Sequence, residues 1–213
     1  MSSNGDKTHA KWQSQKSALT RDRIIVATLE CIVEWGYPKT TMARIASAAD
    51  VSQGCMQYHF PAKIDAIKAA INYLYARRLT DHKRDLENIP QGADRMAHSI
   101  DVYWHHLNED HFTAYQELVI AARTDGELSR SLKHAYKRFV KSWRKDALDM
   151  IVDRNGNREK YELICDIGQY QMEGLAFGRL NDQITEAQTR KVLAFTKELL
   201  VKMVSELEIE PTR

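Results

Sequence analysis

Cysteine is scarce in this chain, and its spacing excludes more than its number does. Cys31, Cys55 and Cys165 stand far apart without any Cys-x-x-Cys or Cys/His pattern. Neither a disulfide framework nor a zinc site is indicated, and a reducing cytoplasm is the expected setting. Only four prolines and nine glycines punctuate 213 residues, while apolar side chains recur at spacings of three and four nearly throughout. With no strand-like alternation in competition, the expected fold is all-α. No apolar run approaches the ~20 residues needed to cross a bilayer. Residues 1–18 are polar and lack the apolar core of a secretory signal, so a soluble protein without a membrane partner is expected. Charge of one sign is also in short supply: the net value is +2. Its distribution is uneven, however. Residues 1–63 hold eight Lys and Arg against five Asp and Glu, and the remainder is slightly acidic. A basic excess confined to one end suits attraction to phosphates.

What is present lies mainly in residues 40–63, TTMARIASAADVSQGCMQYHFPAK. Thr41 can cap a short helix whose apolar positions Met42, Ile45, Ala46 and Ala49 share one face. Asp50 stands where a turn needs a residue tolerant of left-handed backbone, and Val51 fills the corner. Ser52 is a natural cap for a second helix from Gln53 to about Tyr58. That helix is too short to persist alone, and Gly54 lets a partner approach its backbone. This is the pattern of a helix-turn-helix. A bracing helix is expected over Thr20–Trp35 with Gly36 as its stop, and a fourth helix from Pro61 to about Leu86.

These residues resemble the tetracycline-repressor (TetR) family of transcription regulators. The resemblance rests on Gly36 and Tyr37, Thr40 and Thr41, Ile45 and Ala46, Val51, Ser52 and Gly54, then His59, Phe60 and Lys63. It covers about residues 20–70, with Asp50 in place of the usual turn glycine and Gln57 in place of a usual tyrosine. It implies an N-terminal three-helix helix-turn-helix domain followed by a C-terminal helical ligand-binding and dimerisation domain, about nine helices in all. The expected divisions are a flexible tail over 1–18, a DNA-binding domain over 19–63, and an effector-binding and dimerisation domain over 64–213. It also implies a double-stranded DNA operator as partner. Gln53 is the first candidate for a base edge. Gln57 and Tyr58 are assigned to a base or a phosphate, Lys63 to a phosphate, and Thr41 and Arg44 to the flanking backbone. Ser52, Gly54 and Cys55 complete the presented surface, whereas His59 is read mainly as packing beside Phe60.

Past the break Ile89-Pro90-Gln91-Gly92, helices are expected over Met96–Leu107, over Phe112–Ala122, and from an Asp125 cap to the turn Asn155-Gly156-Asn157. Two more close the chain, the last opened by a Thr185/Gln188 capping box. The resemblance implies a small, largely apolar effector held within this second domain. Its aromatic residues suit such a pocket: Tyr103, Trp104, Phe112, Tyr115, Tyr136, Phe139, Trp143, Tyr170 and Phe177. Gln116, His105 and Glu173 could supply polar selection. The same rings at helical spacing also suit plain core. Gly174, Gly178, Phe195, Leu199, Leu200 and Met203 on the last two helices form a face that can pack within one subunit or against another. The resemblance implies the latter, a homodimer reading a palindrome. The expected function is a ligand-responsive transcriptional repressor without a cofactor. The alternative is a DNA-binding protein of the same fold with no effector, such as a nucleoid or cell-division factor. An enzyme is not expected: His105, His106, Asp110 and His111 lie close in sequence, but His105 and His106 diverge by about a hundred degrees on a helix and no second cluster completes a ligand set.

Overall fold

The computed structural model describes residues 3–92, 94–149 and 158–209, and within these every regular element is an α-helix. They run α1 Ser3–Lys39, α2 Met42–Ala48, α3 Gln53–His59, α4 Lys63–Glu87, α5 Arg95–His106, α6 Asp110–Ala121, α7 Gly126–Asp149, α8 Arg158–Leu180 and α9 Glu186–Ile209. The all-α expectation holds among the described residues. Residues 3–18, expected as a mobile tail, form the opening turns of α1. The expected turn Asn155-Gly156-Asn157 lies outside the described residues.

Local chemistry fixes most of the helix ends. Gly36 interrupts α1 at φ 75° and ψ 162°, a region open essentially to glycine alone. Thr41 Oγ1 accepts from Arg44 N at 3.3 Å, and Ser52 Oγ accepts from Cys55 N at 3.1 Å. The end of α2 is a Schellman turn. Asp50 takes φ 51°, its N–H donates to Ser47 O at 3.1 Å, and Val51 N–H donates to Ala46 O at 3.0 Å. Asp182 repeats the device after α8 at φ 55°, with Gln183 N–H donating to Gly178 O at 2.8 Å. Aspartate serves at both sites because its short polar side chain tolerates left-handed backbone better than most residues. Asp125 Oδ1 caps α7 through the N–H groups of Glu127 and Leu128 at 3.0 and 2.9 Å. In the capping box at α9, Gln188 Oε1 accepts from Thr185 N at 3.0 Å while Gln188 N donates to Thr185 Oγ1 at 3.3 Å.

The helices form two compact units. One comprises the chain up to Leu74 together with Glu117–Ala135; the other comprises Tyr75–Gln116 and the chain from Tyr136 onward. The sequence suggested a boundary between residues 63 and 64, yet α4 is divided only at Leu74, and the α6–α7 corner belongs with the N-terminal helices. In the first unit Ile24, Ile32, Ile45, Met56, Ile67 and Ile71 are fully buried. In the second, Ile100, Leu107, Phe112, Ile164, Met172 and Leu200 make the core. There α9 packs on α5 and α8. The Lys197–Asp101 ion pair at 2.5 Å and the bond from Gln171 Nε2 to Thr196 Oγ1 at 2.7 Å tie these helices at their edges.

Candidate nucleic-acid interface

The short helix α3 is held from below by two side chains. Met56 is fully buried and Phe60 nearly so, with the Arg21 guanidinium 5.0 Å from the Phe60 ring. Four residues on the helix share the opposite side: Gln53, Gly54, Gln57 and Tyr58 are all exposed. Their spacings of one, three and four residues place them together. Tyr58 is 80% exposed, a high value for a ring with no core to enter. A Cβ on Gly54 would approach only Ser52 Oγ, at 4.0 Å. The glycine therefore leaves the outer surface low rather than relieving an internal clash. Cys55 and His59 are half-buried, and His59 meets Tyr58 edge-on at 5.1 Å.

The flanking cations are arranged differently from the sequence expectation. Arg44 is exposed, but its Nη1 donates to Lys39 O at 2.7 Å and its guanidinium lies 5.0 Å from the Trp35 ring. Lys63 Nζ donates to Tyr37 O at 2.7 Å and sits 4.2 Å from the centre of the Tyr37 ring. Burial pulls the Lys63 ammonium below the usual lysine range, opposed by the negative charge of Asp125. From sequence, Lys63 is assigned to a phosphate and Arg44 to the flanking DNA backbone. As placed, each ties the end of α1 to a neighbouring helix, and Lys63 is turned inward.

Residues 24–70 match the family model described as bacterial regulatory proteins, tetR family. Over that segment the chain is similar to the TetR family. It is a DNA-binding transcription regulator rather than an enzyme. It is 26% identical over 168 residues to the HTH-type transcriptional regulator CymR of Pseudomonas putida, covering 77% of this chain and 81% of that one. Among solved structures, a transcriptional regulator of Rhodococcus sp. Rha1 superposes with a TM-score of 0.65 at 16% identity, over 90% of this chain and 99% of that one. A Saccharomonospora viridis protein solved in complex with choline superposes with a TM-score of 0.62 at 15% identity, over 88% and 96%. At such identities the superpositions speak for the fold.

In the second unit, the residues expected around an effector separate into groups. Tyr75 gathers Tyr115, Tyr136 and Phe139 at 6.3, 6.2 and 5.3 Å between ring centres, and Phe112 adjoins Tyr115 at 6.4 Å. The Tyr103 hydroxyl donates to Glu173 Oε1 at 2.7 Å, and that oxygen also accepts from Gln169 Nε2 at 3.1 Å. Burial pushes the Tyr115 hydroxyl up to about 12 and raises those of Tyr75 and Tyr103 as well. Trp104 packs on the core with the Arg179 guanidinium 6.0 Å from its ring, while Trp143 meets His82 at 5.9 Å. Gln116 and Phe177 are half-buried, and Tyr170 is 63% exposed. His105 is exposed and faces Glu109 at 3.6 Å. Sequence reading missed Tyr75 and Arg78, although positions 71, 74, 75 and 78 continue the helical spacing of α4's inner face.

The assembly residues also divide. Leu200 is fully buried against Gly168, where a glycine Cβ would come within 2.7 Å of Leu200 Cδ1. Met203 packs on the same core, and a Cβ on Gly178 would meet Ile184 at 3.4 Å. These three take part in packing within one subunit. Phe195 and Leu199 remain exposed, at 64% and 38%, and a Cβ on Gly174 would meet nothing within 4 Å. Leu163, Ile167 and Tyr170 extend Gly174 into an exposed stripe along α8.

Proposed function

We propose that the protein binds a twofold-symmetric operator as a homodimer, represses transcription in the cytoplasm, and releases DNA when a small, largely apolar molecule enters the second unit. The observation that carries this reading is the outer surface of α3. Gln53, Gly54, Gln57 and Tyr58 lie side by side on a helix whose only buried anchor is Met56. Such a helix gains little from its own core and is formed to be presented. Gln53 can donate and accept at an adenine edge, with Gln57 and Tyr58 reaching bases or phosphates one turn on. Arg44 and Lys63 hold the neighbouring backbone in place. One helix reads a few base pairs. Two related by a twofold axis read half-sites about 34 Å apart.

The stripes Leu163-Ile167-Tyr170-Gly174 on α8 and Phe195-Leu199 on α9 support the dimer, because apolar side chains repeating every three or four residues are left uncovered in one subunit. The ring cluster around Tyr75 supports the effector, as does the choline found with the Saccharomonospora viridis relative in fold. The alternative without an effector is separated by linkage. A molecule that releases the operator must bind more weakly when operator is present, by the same factor, typically about 5- to 150-fold. Thermal-shift screening supplies the molecule, and calorimetry with and without operator supplies the two affinities. Equal affinities would leave a DNA-binding protein without a switch.

A further inference from the structure

Arg78 is the cation of the ring cluster, and among the described residues it takes part in no ion pair. Its guanidinium carbon lies 4.9 Å from the centre of the Phe139 ring, 5.4 Å from Tyr115 and 6.0 Å from Tyr75. Ring faces attract the cation but offer no acceptor for its in-plane N–H groups. The nearby carboxylates are engaged elsewhere. Asp81 holds Arg77 at 2.8 Å and Arg84 at 3.1 Å, Glu109 faces His105 and His111 at 3.6 and 3.7 Å, and Glu173 accepts from Tyr103 and Gln169. Among the described residues no carboxylate forms an ion pair with Arg78. The same side chain lines a recess with Arg77, Asp81, Glu109, His111 and Phe112, so it borders both the rings and open space. Its charge is felt by the rings, opposing the burial that raises Tyr75, Tyr103 and Tyr115.

We infer that the effector is an anion with a flat apolar body, its carboxylate paired with Arg78 and its body laid against Tyr75, Tyr115 and Phe139. This rests on the reading of the second unit as an effector site. A planar guanidinium with free donors in one plane fits a planar pair of oxygens, and a carboxylate supplies both along with the missing charge. The opposite polarity is less suited, since the acidic group at hand, Glu173, already accepts from two protein donors. The rings then select the body by area and stacking.

The test uses the full chain and three matched probe sets of one and two rings: benzoate and 2-naphthoate, their neutral amides, and the corresponding arylmethylammonium cations. Calorimetry should show each acid binding at least about tenfold more tightly than its amide, as a charge-assisted bond requires. Arg78→Gln should bring acid and amide within about threefold of each other while the amide's affinity stays close to that of the native protein. Arg78→Lys, which keeps charge but loses the planar fork, should fall between. Melting curves and circular dichroism establish that each variant is folded, and the native-protein comparison of acid with amide stands even if Arg78→Gln is not. Equal binding of acid and amide, or preference for the cation, overturns the anion while leaving an effector site. Binding of none of the three sets overturns the site itself and the anion with it.

Discussion

The Tyr37 hydroxyl donates to Asp125 Oδ2 at 2.9 Å across 88 positions of sequence. Tyr37 is held at its other polar atoms as well: its N–H donates to Glu117 Oε2 at 3.3 Å, and its carbonyl accepts from Lys63 Nζ at 2.7 Å. One residue at the end of α1 thereby joins the start of α4 and the α6–α7 corner, all within the first unit. The Asp125 carboxyl is held below the usual carboxylate range, first by the N–H of Leu128 and then by the Tyr37 hydroxyl. Burial, and then the bond to Asp125, push Tyr37 up to about 12.

These shifts act at opposite ends of the pH scale. A depressed carboxyl stabilises the fold above its unfolded value near ~4 and loses that contribution as pH falls through the native value. A raised phenol stabilises below its unfolded value near ~10, and its contribution is lost as pH rises from there to about 12. Tyr37→Phe should therefore lower the unfolding midpoint at neutral pH and remove the Tyr37 part of the alkaline decline. It should keep most of the acid decline, because the Leu128 N–H still holds Asp125. Asp125→Asn should remove the Asp125 part of the acid decline. Melting curves between pH 3 and 11 distinguish the two. Identical profiles for native protein and Tyr37→Phe would show that the bond does not persist in solution.

Gly36 and Asp50 both terminate helices with positive φ, but their replacement should differ in cost. Gly36 lies in a region reserved for glycine, and an added Cβ would also come within 2.9 Å of Glu117 Oε2. Gly36→Ala should cost about 1–3 kcal/mol from backbone strain. Asp50 occupies the left-handed helical region, where Asp50→Ala should cost about 1 kcal/mol and Asp50→Gly much less. Urea titration measures each. An unchanged midpoint for Gly36→Ala would contradict the strained backbone at that position.

The helix-turn-helix was legible because each of its local signals refers to a neighbour within four residues. Thr41, Asp50 and Ser52 act in the structure as caps and turn, as the spacing suggests. The contact of Lys63 was not legible because its partner, the carbonyl of Tyr37, lies 26 positions away. Leu199 and Leu200 show the same limit. The apolar pattern places both on α9 but does not say which meets its own subunit, since that depends on Gly168 opening a space on α8. That Arg78 takes part in no ion pair among the described residues was invisible for a further reason: exclusion from ion pairs is a property of the folded surroundings and has no local signature.

Adjacent leucines on α9 give a direct trial of assembly. Leu200→Ala should cost about 2–5 kcal/mol of folding stability, as fully buried leucines do. Leu199→Glu and Phe195→Glu change exposed positions and should leave the subunit's melting nearly intact, yet sedimentation should find them monomeric because a charge would be buried unpaired at the interface. Dimers persisting in both glutamate variants would remove this face from the assembly.

Recognition itself can be divided between reading and bracing. Gln53 is exposed at the start of α3, so Gln53→Ala should leave folding unchanged. It should lose about 1–3 kcal/mol at the preferred operator and flatten base preference at one position of each half-site. Lys63→Ala should behave otherwise. Its ammonium is committed to Tyr37, so its loss should weaken binding to all sequences alike and lower the melting point, while the dependence of affinity on salt stays as it was. A residue that neutralised a phosphate would instead lower the salt slope by about one. Selection from a random DNA pool, followed by titrations at several salt concentrations, measures both variants. Retention of the full base preference by Gln53→Ala would remove it from the reading surface, and a salt slope reduced by one in Lys63→Ala would return that lysine to the phosphates.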